Sequence, residues 1–354
     1  MTNVSRMFLF LLFVAALPAA ENVVLVMTDG LRWQEVFGGV DEKLITKENG
    51  AKAYWRESEN ERRAALMPFF WSVIAKEGQV YGNPALGSRA HVTNDFYFSY
   101  PGYSETLTGF ADPRIDSNDK VPNPNVTVFE WLHQKPAYRG KVAAFAAWDV
   151  FPFIFNAERA GFPVNAGNEP FTPARLTPKL KILNQLKAEM PRLFGGEAFD
   201  ALTFHTALEY VKESKPRVLF LSLGDTDELA HAGNYGEYLH AAHRADAYLK
   251  QLWETLQSLP QYKGKTALIF TTDHGRGGAP VEWKGHGQKV PDSKEMWMAF
   301  LGPDTPALGE RSNISPVTQS QVAATLAALL GEDYAADVPK AAKPIADAYR
   351  TGLP

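Results

Sequence analysis

Ala267-Leu268-Ile269-Phe270-Thr271-Thr272-Asp273-His274-Gly275 sets a short apolar, β-branched run directly before a carboxylate, an imidazole and a glycine. The run has the length and composition of a buried strand, and the polar residues come where the chain must turn. In an open parallel sheet the carboxyl ends of the strands are where ligands sit. Asp and His are also the common means of holding a divalent cation without cysteine. A helix-starting Asp and a surface His after an ordinary core strand would look the same, so the weight lies in repetition.

The construction recurs twice. Asn22-Val23-Val24-Leu25-Val26-Met27-Thr28 delivers Asp29-Gly30 to its end, and Arg217 to Gly224 leads into Asp225-Thr226-Asp227-Glu228-Leu229-Ala230-His231. Asp227 and His231 are four residues apart, one helical turn, so both can face one point. Asp225 is the rival carboxylate but lacks that spacing. His286 lies between glycines in Trp283-Lys284-Gly285-His286-Gly287, where the backbone can approach a ligand closely.

The 354 residues are 45% hydrophobic, 12% aromatic and 21% charged, enough for a large core. Net charge is −4, and no basic run or aromatic-basic interleaving occurs. That balance argues against a nucleic-acid-binding surface. There are no cysteines, which excludes disulfides and thiolate metal sites. Arg6, the apolar stretch Met7–Leu17 and Pro18-Ala19-Ala20 read as a signal peptide over residues 1–20. The stretch is shorter than the roughly 20 residues of a membrane span. The expectation is an exported protein, periplasmic or secreted, with no span in the mature chain and residues 21–354 forming one domain.

Strand-like runs at 22–28, 79–82, 91–98, 141–147, 217–223, 266–272 and 296–301 alternate with helix-like segments at 67–76, 104–108, 125–133, 198–213, 235–258 and 315–330. Asn125 with Thr127, and Ser315 with Pro316, mark two helix starts. The alternation predicts an α/β fold, a single large domain with a mostly parallel central sheet flanked by helices. The charged stretch 38–66 and the Pro-, Phe- and Asn-rich stretch 150–195 read as insertions that shape specificity.

In Asn94-Asp95-Phe96-Tyr97-Phe98-Ser99-Tyr100-Pro101-Gly102-Tyr103-Ser104-Glu105-Thr106-Leu107-Thr108-Gly109 an aromatic strand is expected to run into Ser99, followed by a turn and a short helix capped by Ser104. A hydroxyl at a strand-to-helix turn sits where backbone N–H groups welcome an anion. A neighbouring cation would make Ser99 a nucleophile without a histidine base. Tyr103 and Ser104 are the competing hydroxyls. His205 and His240 read as packing or surface histidines, Trp33, Trp148 and Phe151-Pro152-Phe153 as core, and Arg32 as support for Asp29 or a surface ion pair.

These motifs, in this order, resemble the alkaline phosphatase superfamily, closest to its nucleotide pyrophosphatase/phosphodiesterase and related phosphatase branches. The resemblance runs from Asp29 to beyond His286. It implies Asp29, Ser99, Asp273 and His274 on one metal and Asp227, His231 and His286 on the other, with two Zn²⁺ or another divalent cation about 4 Å apart. It further implies Ser99 as the catalytic nucleophile, and Asn118 as a catalytic contact to a phosphate oxygen of a small phosphate-ester substrate. Sulfatases of this superfamily carry Cys or Ser followed by x-Pro-x-Arg, and Tyr103 stands where that Arg belongs. A sulfatase-like hydrolase and a non-catalytic phosphate- or glycan-binding member are the alternatives. Monoester and diester both stay open, with Lys284, Arg276 and Arg159 as candidate phosphate clamps.

Overall fold

In the computed structural model, residues 20–350 are described; the expected signal peptide lies outside them except for Ala20. The strands are β1 (Asn22–Thr28), β2 (Gln79–Tyr81), β3 (Ala90–His91), β4 (Val142–Ala146), β5 (Val164–Ala166) and β6 (Val218–Leu223). They continue with β7 (Thr266–Thr272), β8 (Glu295–Met296), β9 (Met298–Leu301), β10 (Gly309–Glu310) and β11 (Val317–Thr318). The main sheet runs β10-β2-β9-β7-β1-β6-β4-β5, and a small one runs β11-β3-β8. The five strands from β7 to β5 are parallel, while β9 is antiparallel to both of its neighbours.

The central strands are apolar without alternation because both faces are covered. Val23, Leu25 and Met27 of β1 enter one core with Tyr103, Phe129 and Leu326. Val24 and Val26 enter the opposite core with Phe204, Leu239 and Leu252. Helices Ser99–Thr108, Val128–Gln134 and Gln321–Leu329 cover the first face, and Asp200–Ser214 and Tyr235–Ser258 the second. The α/β architecture is as expected. Among the described residues no helix is long and apolar enough to cross a membrane.

Register sets the site. Thr28 pairs with Leu223 on one side and Thr272 on the other, so β1, β6 and β7 end level. Asp29, Asp225 to Asp227 and Asp273 therefore leave the sheet side by side.

Several boundaries differ from the sequence reading. Residues 92–98 do not continue β3. The Asn94 Oδ1 accepts from Phe96 N and Tyr97 N, both at 3.0 Å, which folds the segment into a turn. The following helix starts at Ser99, so Ser104 is not its cap; Ser104 is buried inside it and accepts from Asn123 Nδ2 at 3.0 Å. The run 296–301 splits at Trp297 between two sheets. Ser315 does not start a helix, because Val317 pairs with Ala90 in the small sheet and the helix begins at Gln321. β5 comes from the 150–195 stretch, so part of that stretch belongs to the sheet itself. Thr127 does cap its helix, accepting from Glu130 N at 3.1 Å.

The Ser99 helix is pressed onto the end of β7. A Cβ at Gly102 would lie 2.4 Å from the Asp273 carbonyl oxygen, a backbone atom that cannot step aside. Gly102→Ala should cost about 1–3 kcal/mol, read as a lowered midpoint in thermal unfolding. Gly38→Ala, with no atom within 4 Å of the added carbon, should leave the midpoint unchanged or raised.

Candidate active site

The first cluster forms where β1 and β7 end. Asp29 Oδ1 and Asp273 Oδ2 each lie 3.3 Å from His274 Nε2, and Ser99 Oγ lies 3.4 Å from the same nitrogen. The loops are held by short contacts. Gly30 N donates to Asp273 Oδ1 at 3.0 Å, and Thr226 Oγ1 donates to the Asp29 carbonyl at 2.5 Å. Ser99 is buried at the first turn of its helix, and Tyr100 N donates to Asn118 Oδ1 at 3.0 Å.

The second cluster is built on the Asp225–His231 helix. His231 Nε2 lies 3.1 Å from Asp227 Oδ2 and 3.0 Å from His286 Nε2. His286 Nε2 lies 3.6 Å from Asp227 Oδ1, and its Nδ1 donates to the Tyr97 carbonyl at 3.2 Å. The clusters share a wall: the His274 and His286 rings stack with centroids 4.0 Å apart. A donor atom of His274 is within 4.8 Å of those of Asp227 and His286, as it is of those of Asp29 and Asp273. Gly30 (φ +58) separates the two; a Cβ there would meet Arg276 Nε and Asp227 Oδ1, both at 2.8 Å. All seven expected ligand residues are thus brought together, with Asn118 beside the Ser99 helix.

Charge is unevenly compensated. Burial, then the Asp227 charge, pushes the Asp29 carboxyl well above the usual range; burial, then Asp29, does the same to Asp273. Burial alone would raise Asp227 too, but the Arg276 guanidinium against it, with His231 and His286, holds it well below. Burial and the neighbouring His274 keep the His286 imidazole well below its ordinary value.

These residues form two groups, sharing His274, that could hold a divalent cation. Asp29 Oδ1 and Asp273 Oδ2 are fully buried and form no hydrogen bond, although each points at the same imidazole nitrogen. Unpaired buried carboxylate oxygens converging on an imidazole are the donor set of a metal site.

The remaining candidates fall elsewhere. Tyr103 donates to Asp29 Oδ2 at 3.1 Å and lies 3.0 Å from Ser222 Oγ, so it fixes the Asp29 carboxylate. Asp225 caps the Asp200–Ser214 helix and pairs with Arg244 at 3.2 Å. Arg159 is bound to Glu130. Arg276 is fully buried on Asp227 and donates to the Lys284 carbonyl at 2.7 Å. Arg32 pairs with Glu35 inside the protein. His240 lies 2.7 Å from Tyr54 Oη, and His205 packs edge-on against Phe204. Glu197 escaped the sequence reading because no motif surrounds it. It is buried near Asp29, its Oε2 has no partner, and burial, then Asp29, raises its carboxyl well above the usual range.

Known proteins carry the same frame. The Sulfatase family model matches residues 21–332. GPI ethanolamine phosphate transferase 1 of Mus musculus is 25% identical over 286 residues, covering 77% of this chain. The chain spans about a quarter of the length of that curated relative, 25% of it. Alkaline phosphatase PafA superposes with a TM-score of 0.60 at 12% identity, covering 94% of this chain and 99% of that one. A 2-O GAG sulfatase, BT1596, superposes with a TM-score of 0.55 at 14% identity, covering 94% of this chain and 75% of that one. Fold and strand-end carboxylates together define a superfamily of ester hydrolases and transferases. The chain belongs to the Sulfatase family, within the alkaline phosphatase superfamily.

The raised carboxyls dictate a pH signature. Their folded pKa values exceed the unfolded ones, so in metal-free protein their contribution to stability is present below the unfolded value. It is lost as pH rises through the raised value. A cation needs both groups ionised, so binding releases protons and tightens as pH rises. Saturating zinc should therefore raise the melting temperature of metal-free protein more at pH 8 than at pH 5. Equal shifts, measured by scanning fluorimetry, would contradict the assignment.

Proposed function

We propose that the protein is an exported phosphate ester hydrolase with a dinuclear zinc site, working through a phosphoserine intermediate. The observation that carries the reading is the convergence of Ser99 Oγ, Asp29, Asp273 and His274 beside Asp227, His231 and His286. Asp29, Ser99, Asp273 and His274 would hold one cation, and Asp227, His231 and His286 the other. When bound, such a pair lowers the pKa of a hydroxyl and offsets charge on the phosphate oxygens.

Ser99 attacks phosphorus in line, forming the Oγ–P bond as the bond to the alcohol oxygen breaks. The alcohol departs with a proton, and water then cleaves the phosphoserine to return the Ser99 hydroxyl. Of the first three positions of the Ser99 helix only Ser99 keeps an N–H for an anion, since Tyr100 N donates to Asn118 and Pro101 has none. Asn118 spends its Oδ1 on Tyr100 N, which leaves its amide nitrogen for a phosphate oxygen. Arg159 and Arg276 are committed to carboxylates. That favours a diester, with one fewer charged oxygen than a monoester, over a substrate needing a two-cation clamp. Sulfate transfer is disfavoured by Tyr103, whose hydroxyl serves Asp29 at the position where sulfatases carry Arg.

A transferase reading has one specific support, the 25% identity to a protein named for transferring ethanolamine phosphate. In that case an alcohol would replace water in the second step. The Met7–Leu17 stretch supports export.

Purified protein should cleave bis-p-nitrophenyl phosphate in preference to p-nitrophenyl phosphate, leave p-nitrophenyl sulfate untouched, and lose activity with chelator. Ser99→Ala should lower turnover at least ~100-fold with folding and metal content retained. Sulfate cleavage, or a nearly silent Ser99→Ala, would refute the reading.

A further inference from the structure

The turn that leads into Ser99 also touches the opposite cluster. Tyr97 has φ 54, a left-handed conformation uncommon for a residue with a Cβ. This conformation presents its carbonyl to His286 Nδ1 at 3.2 Å. Donation from Nδ1 leaves Nε2 as the bare lone pair facing Asp227 and His231; the opposite tautomer would put a proton there. Tyr97 is held by the Asn94 Oδ1 accepting from its backbone N–H. Asn94 is itself immobilised, since its backbone N and its Nδ2 donate to Glu105 Oε2 at 2.9 and 2.8 Å. The other Glu105 oxygen accepts from Thr93 Oγ1 and Ser320 Oγ at 2.8 and 2.7 Å. Glu105 is fully buried and lies in the helix that Ser99 begins.

We propose that Asn94 and Glu105 are positioning residues that, through the Tyr97 carbonyl, fix the tautomer and aim of His286 from the nucleophile's own helix. The inference rests on the reading of Asp227, His231 and His286 as a cation site. The chain Glu105–Asn94–Tyr97–His286 places Ser99 and a ligand of the far cluster on one frame, so they keep a set separation. Partners on the second nitrogen of a ligating histidine typically govern 10–100-fold in metal affinity.

Metal-free full-length protein would be titrated with zinc against a chromophoric chelator, with His286→Ala identifying the binding step that belongs to this cluster. Asn94→Ala should weaken that step by about tenfold and leave the other step unchanged. Tyr97→Val and Tyr97→Asn both lose the ring, but only Asn tolerates the left-handed backbone. Val should therefore weaken the same step by about tenfold, and Asn should hold it near the wild-type value. Circular dichroism of the metal-free variants checks folding, and the Tyr97 pair carries the test if Asn94→Ala fails to fold. Wild-type affinity in Tyr97→Val, or equal losses in Val and Asn, would overturn the proposal. Two zinc ions without esterase activity would overturn the function proposed above and leave this inference standing. A wild type lacking any step removed by His286→Ala would overturn both.

Discussion

Three carboxylates are buried together at the carboxyl ends of one sheet, with one guanidinium among them. Asp29, Asp227 and Asp273 arrive there because β1, β6 and β7 end level, a consequence of register rather than of any attraction between them. Two like charges 4 Å apart repel by about 4 kcal/mol at the effective dielectric of a protein. Arg276 pairs directly with Asp227 and only partly offsets Asp29, whose carboxyl stays well above the usual range. Asp29 and Asp273 are left with lone pairs aimed at the His274 nitrogen and no hydrogen-bond donor on them, which suits the pair to holding a cation.

Holding repelling groups in place takes a rigid surround. Arg32, buried against Glu35, donates to the Gly277 carbonyl at 3.0 Å and so ties the loop after β1 to the loop after β7. Tyr235 and Tyr238 donate to the same Glu35, bringing in the long Tyr235–Ser258 helix. The helix bearing Asp227 and His231 is fixed by exchange: Gly224 N donates to Asp200 Oδ1 at 2.7 Å, and Asp200 N donates to Asp225 Oδ1 at 3.1 Å. Each loop that carries one of these carboxylates is therefore pinned at a point outside the clusters, while Asp29 Oδ1 and Asp273 Oδ2 keep no hydrogen-bond partner.

The parallel core and the convergence of Asp29, Ser99, Asp227, His231, Asp273, His274 and His286 were legible because their signals are local. A strand buried on both faces must be apolar throughout, and Asp or His immediately after it has one place to go. The turn at 93–98 was not legible as a turn. Its aromatic residues have strand propensity, and what overrides them is the Asn94 side chain, held by a carboxylate eleven residues later. The same long reach hid the start of the Ser99 helix, whose first residues lack a side-chain cap. Ser315-Pro316 failed for the opposite reason: a sound local start signal lost to pairing of Val317 with Ala90, remote in sequence. Arg276 was legible as a cation near the site, but its burial on Asp227 depends on a contact across 49 residues.

Membership of the Sulfatase family fixes the scaffold more tightly than it fixes the ester. The strand ends and the helix behind Ser99 supply the candidate cation ligands and the proposed nucleophile, groups that would serve any tetrahedral oxyanion. Discrimination has to come from residues that touch those groups without being among them. Tyr103 is such a residue: from the fifth position of its helix it reaches Asp29 and Ser222 with a neutral hydroxyl. An arginine there would place a full positive charge beside Asp29 and change both the charge and the reach of the pocket. A neutral donor brings no positive charge to Asp29 from this position, so whatever further compensates that carboxylate has to come from elsewhere in the site.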